Sequence, residues 1–387
     1  MGTPNRENCP IPLDSQDTSF GQMPSKMLLS AVNLRPAVEF TMTMQKKEIQ
    51  WKHLPKVLLH EHLDGGLRPQ TLLELCRDRA LDVPARDAAG LATWMQANAN
   101  SGSLERYLKG FGLTVAAMAS ADACERVAFE AAEDARLDGC VLAEFRMAPL
   151  LLESHGMSGE AVLEALLSGL NKSALPCGLI VCAMRTDLPE KTERSARLAA
   201  KYKDVGVIGF DLAGAERGFP PAAHAEAFAV VRDAGLGITC HAGEADDGSR
   251  VLEAAALGAI RIGHGVKIME AANASQQLVW LDEARRLGLH FEVCPTSNVH
   301  TGTATSMATH PLRAMAEAEL SVSVSTDNRL MSGVTLSAEL QAVHEHNGVS
   351  VAGLGRMMRE AARLTFMPAA ARDAAMQAMD AWPAETR

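Results

Sequence analysis

Aromatic residues are scarce in this 387-residue chain: 10 Phe, 4 Trp and 2 Tyr make up 4% of it. That leaves few rings on which the bases of a single strand could stack. Positive charge is also short, with 37 Lys and Arg against 47 Asp and Glu and a net charge of −10. The sign is wrong for a protein held by the phosphate backbone, so nucleic acid is excluded as the main partner. None of the eight cysteines stands in a C-x-x-C pair, which removes zinc ribbons and thioredoxin-type redox motifs. Cys140, Cys177, Cys182, Cys240 and Cys294 lie in or beside apolar runs. A thiol there behaves as a small buried hydrophobe, and a reducing, cytoplasmic setting is expected. No run approaches the ~18 apolar residues of a membrane span. The stretch Met27–Leu34 is cut short by Asn33 and Arg35 and makes a poor signal-peptide core.

What is present suits a globular protein, with 47% hydrophobic and 22% charged residues. Residues 1–50 are polar, carry Pro4, Pro10, Pro12, Pro24 and Pro36 and show no sustained period. They are expected to be a disordered leader ahead of a single domain over 51–387. From Val57 onward, short apolar runs end in polar clusters and are followed by Ala/Leu/Glu/Arg-rich helical stretches. The expected strands are Val57–Leu63, Gly139–Met147, Cys177–Thr186, Val205–Ala213, Gly235–Ala242, Ala259–Gly263, Gly288–Pro295 and Leu320–Thr326. Strands alternating with helices pair in parallel through crossovers, and eight of them make a (β/α)8 TIM barrel. A doubly wound sheet is the rival, but no G-x-G-x-x-G follows the first strand. The stretch 67–137 is too long for one crossover and is expected to form helices capping the mouth, while 336–380 adds helices on the outside.

Active groups of such a barrel sit at the C-terminal ends of its strands, and polar residues recur there. The first strand ends His60-Glu61-His62-Leu63-Asp64. Residues two apart share a face, so His60, His62 and Asp64 should point inward. Two buried, hydrogen-bonded histidines would explain H-x-H alone. Later strand ends add His241-Ala242-Gly243-Glu244, Gly263-His264-Gly265 and Thr326-Asp327-Asn328. Three imidazoles and a carboxylate form a mixed N/O set that zinc accepts, with a His and a Glu left for proton transfer.

These blocks resemble those of the adenosine deaminase family of metal-dependent amidohydrolases. The matching stretches run in order as Leu59-His60-Glu61-His62-Leu63-Asp64-Gly65, Asp211-Leu212-Ala213-Gly214, His241-Ala242-Gly243-Glu244, Arg261-Ile262-Gly263-His264-Gly265, Glu292-Val293-Cys294-Pro295-Thr296-Ser297-Asn298 and Ser325-Thr326-Asp327-Asn328. The resemblance implies that His60, His62, His241 and Asp327 bind one zinc ion per chain. It implies that Glu244 gives a proton to purine N1, while His264 orients and helps deprotonate the attacking water. His62, Asp64, Gly214 and Asn328 would touch the substrate, with Asp64 on the ribose 5′-hydroxyl, the Gly214 N–H at N3 and Asn328 at N7. The implied activity is hydrolytic deamination of adenosine, and of 2′-deoxyadenosine, to the inosine product and ammonia.

One position departs from the commonest pattern. Many members have a second carboxylate where this chain has Asn328, although an amide can still donate to N7 through its NH2. Deamination of adenine, aminofutalosine or a methylated adenosine is the alternative. Asp64, where the adenine and aminofutalosine enzymes carry Glu, favours a nucleoside. The fourth strand, Val207–Leu212, has no lysine to bridge two metals. Glu144 and Arg146 are expected to pair as support for the barrel mouth. The histidines outside the strand ends, His155 and His310 among them, are expected at the surface or behind the site. Whether the chain is a monomer or a homodimer is left open.

Overall fold

Each apolar run ends up as a strand because both of its faces are covered, one by the barrel interior and one by a ring of helices. In the computed structural model residues 49–383 are described; the expected leader, apart from its last two residues, lies outside them. The strands are β1 Lys56–His62, β2 Cys140–Met147, β3 Cys177–Met184, β4 Val207–Ala213, β5 Gly237–Ala242, β6 Arg261–His264, β7 His290–Val293 and β8 Ser321–Val324. They form one eight-stranded sheet in sequence order, parallel at every pairing. Its two edges meet where the His62 N–H donates to the Asp327 carbonyl (2.8 Å) and the Asp327 N–H to the His60 carbonyl (3.0 Å). The (β/α)8 barrel read from the sequence is the observed fold. The last strands are shorter than expected: Pro295 opens a helical turn, Pro295–His300, and beyond Ser325, whose N–H still donates to the Val293 carbonyl (2.9 Å), the chain turns to β1, where Asp327 makes that seam.

The long first connection holds the helices Pro69–Asp78, Ala88–Ala99, Leu104–Tyr107, Phe111–Ala117 and Ala121–Leu137. The last of these is N-capped by the Ser120 hydroxyl, which accepts from the Ala123 N–H. It packs on β2 and on Gly159–Asn171, so it belongs to the outer ring and the cap proper ends near Ala117. The cap is tied to the rim where the Gly102 N–H donates to the His300 carbonyl (2.9 Å). Gly302 has φ +77°, and a Cβ there would lie 2.6 Å from the Gly102 carbonyl oxygen; only glycine permits that approach.

The C-terminal helices Leu336–Ala342, Val351–Arg363 and Ala369–Ala378 follow the expectation, but Phe366 between the last two does more. A Cβ on Gly209 or Gly237 would come within 2.8 or 2.3 Å of its ring, and the Arg261 guanidinium stacks on it at 3.7 Å. The ring therefore plugs the barrel floor. Glu144 serves the same end, accepting from the Phe366 N–H (2.6 Å) and pairing with Arg261 (2.7 Å). The expected pairing of Glu144 with Arg146 is thus corrected. Both face inward, but they lie one layer apart, and only Arg146 reaches the residues under the mouth.

Candidate active site

At the upper rim His60, His62, His241 and Asp327 each offer a ligand atom, all within 4.8 Å of one another. His60 Nδ1 donates to the Glu292 carboxylate (3.0 Å) and His241 Nδ1 to Asp211 (3.1 Å). Each bond places the ring proton on Nδ1 and leaves the Nε2 lone pair facing the cluster, the arrangement that prepares an imidazole to bind a metal. His60 Nε2 is buried and has no hydrogen-bond partner. His62 Nε2 lies 3.2 Å from His241 Nε2, so a lone pair faces into the space the rings share. Asp327 Oδ1 stands 3.4 Å from His60 Nε2 and 3.6 Å from His62 Nε2, while its other oxygen accepts from the Ser297 hydroxyl (2.5 Å). Converging acceptors with no proton to share fit a cation.

A buried ion network holds these rings from below. Arg146, wholly buried, donates to Asp211 (2.9 Å) and to Glu292 (2.6 Å), and Arg261 also donates to Glu292 (2.6 Å). Burial alone would raise the Glu292 pKa, but the two guanidinium groups hold it well below the carboxylate range. Both supporting carboxylates therefore stay ionised under their histidines.

The turn after β5 carries Glu244. The Glu216 carboxylate accepts from four successive backbone N–H groups of that turn: Gly243 (2.6 Å), Glu244 (3.0 Å), Ala245 (2.7 Å) and Asp246 (2.9 Å). Thr301 donates to Glu244 Oε1 (3.3 Å), which leaves Oε2 to hold a proton. Burial, and then the charge of Asp327, push the Glu244 pKa up to about 8. His264 Nε2 lies 3.7 Å from Glu244 Oε2. His264 and Asp327 both adopt φ +60°, a conformation uncommon for residues other than glycine and concentrated at functional sites.

One cavity of about 320 Å³ joins His62, His241, His264, Asp327 and Glu244 to Asp64, Gly214 and Asn328, a size suited to a small ligand. Its far wall comes from the cap, through Leu104, Tyr107, Leu108, Phe111 and Val115. Asp64 lies in the turn Leu63–Gly65 beyond β1, so strand alternation does not place it; its Oδ1 is buried without a partner. Asn328 Oδ1 is likewise unpartnered. Gly214 has φ +95°, and a Cβ there would press to 2.9 Å on Met184. Every site residue read from the sequence lines this cavity or the metal cluster. Sequence reasoning gave Glu216 no role, although it lies five residues beyond Asp211. His155 is exposed, as expected of it, and also lines the cavity.

A parallel barrel with three imidazoles and a carboxylate at its C-terminal rim defines the amidohydrolase class of enzymes. Residues 55–382 match the family described as adenosine deaminase. An adenosine deaminase of Mycobacterium tuberculosis is 42% identical over 330 residues, 81% of this chain and 90% of that protein. One of Mycobacteroides abscessus is 40% identical over 345 residues, 84% and 94% of the two. Among solved structures, an Arabidopsis N6-mAMP deaminase superposes with TM-score 0.75 at 26% identity, covering 85% of this chain and 98% of its own. An amidohydrolase of Burkholderia ambifaria with bound Zn gives 0.75 at 22%, covering 87% and 94%, a likeness of fold. The chain belongs to the adenosine deaminase family.

Proposed function

We propose that the chain hydrolyses adenosine and 2′-deoxyadenosine to the inosine product and ammonia, using one zinc ion held by His60, His62, His241 and Asp327. The observation that carries this reading is the cavity in which His62, His241 and Asp327, with His60 buried against them, meet Glu244, His264 and Asp64. Zinc bound there would supply Lewis acidity, which makes water a competent nucleophile at neutral pH. A 6-aminopurine is a poor electrophile, so the remaining work falls to proton placement. Glu244, kept protonated by burial, gives its proton to N1 as water, having shed one proton to solvent, adds to C6 as hydroxide, so the adduct forms neutral. The new C6 hydroxyl then yields its proton to the 6-amino group, which leaves as ammonia, and the shed proton resets Glu244. His264 holds the attacking oxygen. The orphaned Asp64 oxygen accepts the 5′-hydroxyl, the Gly214 N–H approaches N3, and Asn328 donates to N7 through its NH2.

Among the described residues no lysine or arginine lines the cavity, and a 5′-phosphate would meet the Asp64 carboxylate without one to offset it. A nucleoside is favoured over a nucleotide on that ground. The test is zinc-loaded protein offered adenosine, 2′-deoxyadenosine, AMP, adenine, N6-methyladenosine and aminofutalosine, with ammonia release as readout. Turnover of the first two is expected; preference for any other member of the panel would overturn the substrate assignment.

A further inference from the structure

His264 does not end at the cavity. Behind it lies a chain of buried polar groups that the mechanism above leaves unused. Asn298, in the turn Pro295–His300, places Nδ2 3.0 Å from His264 Nδ1. Its Oδ1 lies 3.2 Å from His310 Nε2, and His310 Nδ1 is 3.1 Å from the backbone nitrogen of Leu312. Asn298 is fully buried and His310 is 3% exposed, so water cannot rearrange these bonds. We propose that Asn298 and His310 form a one-way relay that fixes the tautomer of His264, placing its proton on Nε2, toward the cavity.

The direction follows from elementary hydrogen-bond chemistry. Leu312 opens the helix Leu312–Glu317 after Pro311, which has no N–H of its own. The Leu312 amide can only donate, so His310 Nδ1 must carry a lone pair. Burial pushes the His310 pKa down to about 3, and the neutral ring then has its proton on Nε2. That N–H needs an acceptor, which selects Asn298 Oδ1. The flipped amide would set donor against donor at 3.2 Å. With Oδ1 committed, the Asn298 NH2 donates to His264 Nδ1, and a neutral His264 keeps its proton on Nε2.

This deepens the proposed function and rests on it for the place of His264 beside the reacting atoms. In the resting enzyme His264 offers an N–H toward the attacking oxygen and Glu244, so it orients that oxygen as a donor and does not take its proton, in contrast to the deprotonating role the family resemblance implied. Asn298 and His310 are positioning residues: they act through His264 and touch no substrate.

The test is the ring-nitrogen NMR spectrum of the zinc-loaded enzyme, labelled with 15N-histidine and assigned with the variants. The parent is expected to show His264 protonated at Nε2. Asn298→Asp accepts from both sides and should move the proton to Nδ1. It should lower kcat ~10–100-fold, the usual cost of a lost outer-shell partner, with zinc content and KM near the parent values. His310→Gln retains an N–H donor and should keep both the tautomer and most of kcat, whereas His310→Leu should lose both. A parent spectrum with the proton on Nδ1, or an Asn298→Asp enzyme within about twofold of parental kcat, overturns the relay. Should the variants not fold, the parent spectrum decides alone. Failure to deaminate adenosine would overturn the proposed function while leaving the tautomer measurable.

Discussion

Replacing Glu216 with Gln tests how far catalysis depends on the turn that carries Glu244. The carboxylate accepts from the four backbone N–H groups of residues 243–246. In its least costly orientation a glutamine turns its oxygen toward residues 244–246 and sets an NH2 against the Gly243 N–H. That buried donor is left unpaired, at about 1–3 kcal/mol, and the other three bonds lose the charge that makes them roughly twice as strong as neutral ones. A turn held so loosely lets Glu244 drift, and a displacement of about 1 Å costs on the order of 100-fold in rate. The expectation is a kcat ~100-fold lower with zinc content and KM for adenosine near the parent values. The Glu216 charge also helps keep Glu244 protonated, after burial and Asp327, so the alkaline limb of the rate profile should move to lower pH. Steady-state deamination followed by ultraviolet absorbance and ammonia release, with metal analysis of the same sample, reads all of this. A Glu216→Gln enzyme with kcat within about twofold of the parent and an unmoved alkaline limb would refute the reasoning.

Four further outcomes are expected. Glu244→Gln should lower kcat by ~10²–10⁴-fold, the range for a lost general acid, while zinc stays bound. In the parent, kcat/KM should fall as pH rises because the required form is the protonated one, with the limb at or below the pH of about 8 set by its raised pKa. Burial raises the Asp64 pKa to about 7, so above that pH Asp64→Ala should raise KM for adenosine by ~10-fold or more, the loss of one hydrogen bond to a charged group, with little effect on 5′-deoxyadenosine; equal losses on both substrates would remove Asp64 from the 5′ end. Chelation should abolish turnover and lower Tm, since a ligand bound only by the folded state stabilises it, and zinc should restore both. An unchanged Tm would show that the cluster needs no cation.

The barrel was legible because each strand is a contiguous apolar run whose polar residues gather at one end, and β1 to β8 fall where those runs lie. His60, His62, His241 and Asp327 were legible for the same reason, as strand-end residues in family motifs. What escaped notice came from non-periodic segments and long-range partners. Glu216 acts through backbone amides that any residue would offer, so no side-chain pattern marks it. His310 sits in an irregular stretch and acquires its surroundings only when Asn298 folds against it. Glu144 and Arg146 share a strand face as expected, yet their partners, Arg261 and Phe366 for one and Asp211 and Glu292 for the other, come from elements that spacing along β2 cannot reveal.

The seam of the barrel runs through its chemistry. Asp327 joins the first strand by its own backbone, to His60 and His62, and its side chain completes the donor set with those same two histidines. A chain interrupted before residue 327 would lack both the closing ladder and the fourth donor, so it could neither shut the wall nor grip an ion fully. Such non-local pairings form late because the intervening loop must first be ordered, and the energy of metal capture is then energy of folding. The ion would act as a clasp that catches only when both ends of the belt have arrived, excluding incomplete chains from the loaded pool.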